Sequence, residues 1–500
     1  METKLDLFPR SGSGSGKLYA FLGMIILAIS LSFSVAFMLA GFMGAVILLL
    51  ALLAPLSAFL IVRYPKFGII IYLVLSYLIM YVLGFGIDFP LGTVMDSILL
   101  LLIIGFFINQ KQAPNWKMFK NPVTIIIGIW IFYNILQVAN PTAESRLAWL
   151  YTIRSVAGIM LSYFIFSYQI NSVKFIRLII KVWLILSTVA ALYAIKQEYY
   201  GFFDYEQRAL DSNPLLQSLL FINGHWRKSS IFSDPVAFSY NMVVSSILCI
   251  CLMFGPVSNK QRVLLAFLAM LFLNVMLYSG TRAAYLLVPA AMVLLFILKF
   301  NKRVLVIFAG FSFFLFVLVF MPTSNNSLIR FQSAFRPSDD ASYNVRAENQ
   351  KRIQPYIRSH PLGGGLGATG VWGVRFAPYS FLAQFPPDSG YVRVAVELGF
   401  IGLFLICTLF FIVMKTGIEN YFKIKDPELK TYCLAMILII FAISVGNFPQ
   451  EAIVQFPLSV YFYMFIAMLN ITWRLDQQKQ EETLELRTTK HLIPGNDSKR

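Results

Sequence analysis

The chain has 500 residues, 58% of them hydrophobic and 13% charged, whereas an ordinary soluble domain carries about 25% charged residues. This balance excludes a soluble globular enzyme and describes an all-α polytopic membrane protein. A net charge of +17 would suggest a nucleic-acid partner in a soluble chain, so its placement along the chain decides its meaning. Four cysteines, Cys249, Cys251, Cys407 and Cys433, all lie in apolar runs. Their spacing suggests neither a disulfide framework nor a metal site.

A helix needs about 20 apolar residues to cross ~30 Å of hydrocarbon. On that ruler the sequence predicts fourteen spans, at 18–38, 41–62, 67–85, 90–109, 121–138, 147–168, 173–196, 234–254, 262–279, 282–300, 303–321, 391–413, 431–447 and 453–473. The uncharged stretch from Lys17 to Arg63 would make one helix of about 68 Å, so it is divided by a hairpin near Gly41 and Gly44. The resulting organisation is a tail (1–17), a first group of spans (18–196), an outer segment (197–233), a second group (234–321), a large outer loop (322–390), a third group (391–473) and a second tail (474–500). The basic start followed by an apolar run has the look of a signal peptide, but the run is too long and lacks a clear cleavage site. It is therefore read as a retained span. Residues 11–16, SGSGSG, form a tether.

Lys and Arg concentrate in cytoplasmic loops. With both termini inside, 26 of the 41 basic residues fall on inner segments and 15 elsewhere. The basic balance is thus a topology signal, and nucleic acid drops out as a partner. It leaves an anomaly, because the outer segments still hold arginines that insertion does not need. The large outer loop carries Arg330, Arg336, Arg346, Lys351, Arg352, Arg358 and Arg375. Arg227 and Lys228 precede a span that begins with Ser233-Asp234-Pro235, good N-cap chemistry, and Arg282 stands in the turn YSGTRAAY. Guanidinium forks match phosphate oxygens bidentately. Arg227, Lys228, Arg282, Arg346 and Arg393 are accordingly the candidate ligands of an anionic group at the outer surface.

Within the loop, SHPLGGGLGATG holds Gly363, Gly364, Gly365 and Gly367. Such glycines aim backbone N–H groups at an anion or let two chains approach closely; a tight turn accounts for them equally well. The motif lacks the Lys-Ser/Thr of a P-loop and the preceding strand of a dinucleotide site. His360 stands beside it, as a base or as a structural hydrogen-bonder. Further on, Asp388 sits where the chain meets the membrane, and Glu397 lies about 10 Å down the following helix. A carboxylate at that depth is a candidate functional group, although Arg393, four residues earlier on the same face, would also neutralise it. Asp388, Glu397 and His360 are the candidate catalytic residues, and no carboxylate cluster suggests a bound metal. Trp372, Phe376, Tyr379 and Phe385 could stack on sugar rings or fill a loop core.

Four patches together resemble the O-antigen ligase and polymerase superfamily: RKSSIFSDPVAFSYN, SGTRAAYL, the stretch from Ser342 and Arg346 to HPLGGGLG, and DSGYVRVAVELGFIGL. The resemblance covers about residues 225–405. It implies a bacterial inner-membrane glycosyltransferase without a cofactor, its active site and large loop facing the periplasm. Such an enzyme moves a glycan from a polyprenyl-pyrophosphate donor to a sugar hydroxyl of a glycan or glycolipid acceptor, in lipopolysaccharide or exopolysaccharide synthesis. Ligases of this family commonly carry a histidine base where this chain has Asp388-Ser389; many polymerase-like relatives lack it, so the resemblance leans toward a polymerase. The chemistry agrees with it, since pyrophosphate as leaving group needs cations for its developing charge and one base for the acceptor proton. A lipid-linked oligosaccharide flippase would need charges along several spans, where the sequence offers Asp96, Arg154 and Glu397. A polyprenyl-monophosphate glycosyltransferase would want an acidic pair in the first outer loop, which offers Asp88.

Overall fold

A computed structural model describes residues 53–84, 91–112, 114–212, 214–222, 224–300, 302–324, 326–335 and 341–492, with parts of 30–38. Most of the span 18–38, most of 41–62, the tether 11–16, Asp88 and Arg336 lie outside the described residues. The chain divides into two units, 1–64 and 65–500. In the first, Leu53–Arg63 is an apolar helix. Among its described residues the second is helical, with one two-stranded hairpin, Phe221–Ile222 against His225–Trp226.

Ten helices among the described residues are long and apolar enough to cross a membrane, and Arg282–Leu298 is a shorter apolar one. The helices from Pro65–Leu83 onward fall on the predicted spans, and together they make an all-α polytopic membrane protein. Their starts follow local chemistry. The Asn121 side chain accepts from Thr124 N before Pro122, and Asp234 accepts from Val236 N and Ala237 N before Pro235. These caps satisfy N–H groups that have no partner in the first turn.

Two predicted limits move. The predicted span 391–413 belongs to a helix running Gly390–Lys423, and the last helix runs Leu458–Leu492, well past 473. The extra length is polar and has partners. Arg474 donates to Ser167 O and Ile170 O, and Asp476 accepts from the backbone of Lys425 and Asp426.

Pro235–Leu252 and Pro427–Gly446 are largely apolar and largely buried, as a helix without one apolar face must be. Small hydroxyls bind the spans together: Tyr77 OH meets Ser187 Oγ, which meets Ser245 Oγ, each at 2.8 Å, and Trp183 Nε1 donates to Ser245 Oγ at 3.1 Å. Such interhelical bonds matter where lipid offers no competing water.

Polar contacts sort the connections into two ends. At one end Lys66 donates to Asn171, Arg177 pairs with Glu428, and Arg474 reaches the 167–170 turn. At the other, the starts of the helices at Pro235, Arg282 and Gly390 meet the end of Pro427–Gly446. Thr281 Oγ1 donates to Pro235 O, Tyr240 OH to Gly446 O, and Gly390 N to Asn447 O. The predicted inner segments among these lie at the first end and the predicted outer ones at the second.

Candidate functional site

The four sequence patches meet at this second end. Arg227 Nε donates to Ser279 O at 2.8 Å and its Nη2 to Thr281 Oγ1 at 3.1 Å, which ties the first patch to the second. Tyr240, in the first patch, lies within electrostatic reach of Arg346 in the third. Asn349, one turn beyond Arg346 on the Ala341–Ser359 helix, donates to Asp388 in the fourth at 3.4 Å. Arg282 is the first residue of its helix. A cation there opposes the helix dipole, so helix stability does not account for its position.

The glycine loop is organised around the fourth patch. At Gly399 (φ 67°, ψ −167°) the Gly390–Lys423 helix breaks, and carbonyls that would have continued its ladder turn outward. Val396 O accepts from Gly364 N at 2.8 Å, Glu397 O from Gly365 N at 2.9 Å, and Leu398 O from Tyr133 OH at 2.7 Å. A Cβ on Gly399 would lie 1.9 Å from Pro361 O, and one on Gly363 2.4 Å from Glu397 C. Glycine is therefore required on both sides of this approach.

Glu397 is 3% exposed. Its carboxylate accepts from Gly367 N at 3.0 Å, from Thr369 N at 3.2 Å and from the Thr369 hydroxyl. The anion that the N–H groups of Gly367 and Thr369 address is thus the protein's own side chain. Arg393 pairs with Glu397 at 3.1 Å, as the four-residue spacing suggested, and with Glu451 at 2.6 Å. Burial raises the Glu451 carboxyl above the usual glutamate range; Arg393 opposes this, while the charges of Glu397 and Asp388 reinforce it.

The other candidates occupy different settings. His360 closes the Ala341–Ser359 helix: its ring stacks on Tyr356 with centroids 4.0 Å apart, and Nδ1 lies 2.9 Å from Ser359 Oγ and 3.1 Å from Tyr356 O. Lys228 is 6% exposed, with Nζ 3.7 Å from Glu198 Oε2 and 4.8 Å above the Phe202 ring. Burial lowers its pKa and Glu198 counteracts. Asp388 is half-buried, and among the described residues Asn349 is the side-chain partner of its carboxylate. Of the four aromatics, Phe385 belongs to a buried cluster with Ile353, Leu382 and Val396. Trp372 and Phe376 pack on Tyr151, with Arg375 over both rings, and Tyr379 is fully exposed.

Beside Arg393 and Glu397 lies a cavity of about 260 Å³, walled in part by Trp130, Trp372 and Tyr463. Thr152 Oγ1 and Ser459 Oγ line it, buried and without a hydrogen-bond partner among the described residues. Buried hydroxyls are normally paired. The cavity therefore joins apolar walls to the Arg393–Glu397 pair and leaves two hydroxyls still to be paired.

Residues 265–407 match the O-antigen ligase family. That stretch is similar to an O-antigen ligase domain. This supports the chain's place in the O-antigen ligase and polymerase superfamily, and no curated protein sequence matches the chain. The matched stretch includes Arg282, Arg346, the glycine loop, Asp388, Arg393 and Glu397. It leaves out Arg227, Lys228 and Glu451, which the fold brings to the same end.

Sequence reasoning missed several members of this candidate site. Glu451 had one signal, an acid in the short connection FPQEAIVQFP that the sequence predicts to be outer. The turn at residues 140–145 had less. Asn140 donates to Leu362 O and Gly363 O, Thr142 Oγ1 donates to Gly363 O at 2.5 Å, and Ser380 Oγ donates to Glu144 at 2.7 Å. These are ordinary polar residues in an ordinary interhelical turn, so nothing in their own sequence sets them apart.

Proposed function

We propose that this protein is a membrane glycosyltransferase of the O-antigen ligase and polymerase type. It moves a glycan from a polyprenyl-pyrophosphate donor to a sugar hydroxyl at the periplasmic face of the inner membrane, as a polymerase rather than a ligase. The observation that carries this is the convergence of Arg282, Arg346 and Asp388 at one end of the helical bundle, within a domain of that family. Arg282 and Arg346 hold the developing charge of the leaving pyrophosphate. Arg227, Lys228 and Arg393 have carbonyl, hydroxyl or carboxylate partners and build the ground beneath them. Asp388 takes the acceptor proton.

Deletion of the gene tests the class of reaction. Short lipid-linked units should accumulate for a polymerase, full-length lipid-linked chains for a ligase, and an unchanged pool would sink both. Arg282→Ala should lower transfer about a hundredfold, on the order of 3 kcal/mol, with Lys restoring part of it because an ammonium cannot fork. A fully active, correctly inserted Arg282→Ala protein would remove that residue from the donor site. Orientation has its own check. A membrane-impermeant thiol reagent applied from outside should label a cysteine introduced near Ser342 and spare one near Lys302; the reverse pattern would invert the topology.

A transporter reading needs free charge within the spans. Asp96 and Arg154 instead pair at 3.1 Å, and Glu397 is enclosed by Arg393 and the glycine loop. This arrangement favours the transferase.

A further inference from the structure

At the opposite end of the bundle a groove of about 920 Å³ opens between the helices Val173–Tyr199, Asn259–Leu277 and Pro427–Gly446. One wall is a single face of the first helix, where Arg177, Lys181, Leu184 and Thr188 recur at three- and four-residue spacing. The facing wall includes Leu264 and Leu268. Ile185, Val189 and Leu264 are about half exposed, so the groove opens toward the hydrocarbon.

Charge is confined to one end. Arg177 makes two 2.6 Å bonds to Glu428. Lys181, four residues on, is exposed and has no ion-pair partner among the described residues. Lys260 and Arg262 stand on the first turn of the facing helix, and neither 173–190 nor 252–268 contains an Asp or Glu. From Arg177 to Val189 the helix rises about 18 Å, close to the depth of one leaflet, about half of ~30 Å.

We propose that this groove is a binding site for an anionic phospholipid, its phosphate at Lys181 beside Arg177 and its acyl chains along the apolar wall toward Val189. Charge complementarity selects the headgroup, because basic pockets between spans at a membrane surface retain anionic lipids. The one-leaflet length of apolar wall selects a lipid over a free anion.

The full-length protein in a neutral detergent provides the test. Phosphatidylglycerol titrated into the micelles should raise the unfolding temperature and stay bound in native mass spectrometry, and phosphatidylcholine should do neither. Lys181→Ala should weaken retention roughly fivefold, and Lys181→Glu should abolish it. Both variants should unfold like the parent protein in phosphatidylcholine, since Lys181 is exposed. Equal responses to the two lipids would overturn the proposal. So would undiminished retention by Lys181→Glu, or protection by inorganic phosphate alone equal to that by phosphatidylglycerol. None of these readouts depends on glycan transfer.

Discussion

Asp388→Asn is expected to lower glycan transfer by a factor of about 10² or more, the usual contribution of a positioned base, while the protein accumulates and unfolds as before. The second half of the expectation follows from the surroundings of Asp388. It is half-buried, and its carboxylate accepts from Asn349 at 3.4 Å. A neutral isostere there should change stability by less than about 1.5 kcal/mol. Loss of rate and loss of fold are therefore separable at this position. Transfer measured in membranes with matched amounts of protein would decide it, and an Asp388→Asn protein that builds polymer at the normal rate would move the base elsewhere in the site.

Glu397→Gln should show the opposite signature. The carboxylate is 3% exposed and joins Arg393, Gly367 and Thr369. Removing its charge leaves Arg393 with Glu451 alone and places an amide N–H₂ where N–H donors already point. Breaking a buried pair in this way costs about 3–5 kcal/mol. The expected result is a sharp fall in monodisperse protein after extraction and a lower unfolding temperature, with transfer per folded molecule affected less than by Asp388→Asn. Gly399→Ala should produce the same defect by a different route. The strained backbone alone costs about 1–3 kcal/mol, and the new Cβ would lie 1.9 Å from Pro361 O. If both variants were as stable as the parent protein, the clamp between the glycine loop and the broken helix would not support the fold as described.

Much of the architecture was legible in the sequence because its causes are local. Whether 20 residues are apolar enough to cross hydrocarbon depends on those residues, as does the cap that Asp234 provides before Pro235. The Arg393–Glu397 pair was legible for the same reason, since helical spacing alone places the two on one face. The exact ends of the long helices were less so. Gly390–Lys423 and Leu458–Leu492 continue as polar turns whose partners belong to other segments.

The identity of the residues that surround the candidate base, and what the glycines do, were decided by tertiary structure. Glycines that aim N–H groups at an anion or allow close approach were foreseeable, yet the anion is Glu397, 30 residues beyond Gly367, and the N–H groups of Gly364 and Gly365 go to backbone carbonyls. Arg393 could be assigned one acid from its helix, but its second, Glu451, arrives from 58 residues away. The broken ladder at Gly399 is closed by Tyr133, 265 residues earlier. Hydropathy and basic-residue counts act within a single segment against the bilayer, so they survive without the fold. Hydrogen bonds that pair buried charge and satisfy a helix break depend on which segments pack side by side, and the packed bundle alone brings those segments together.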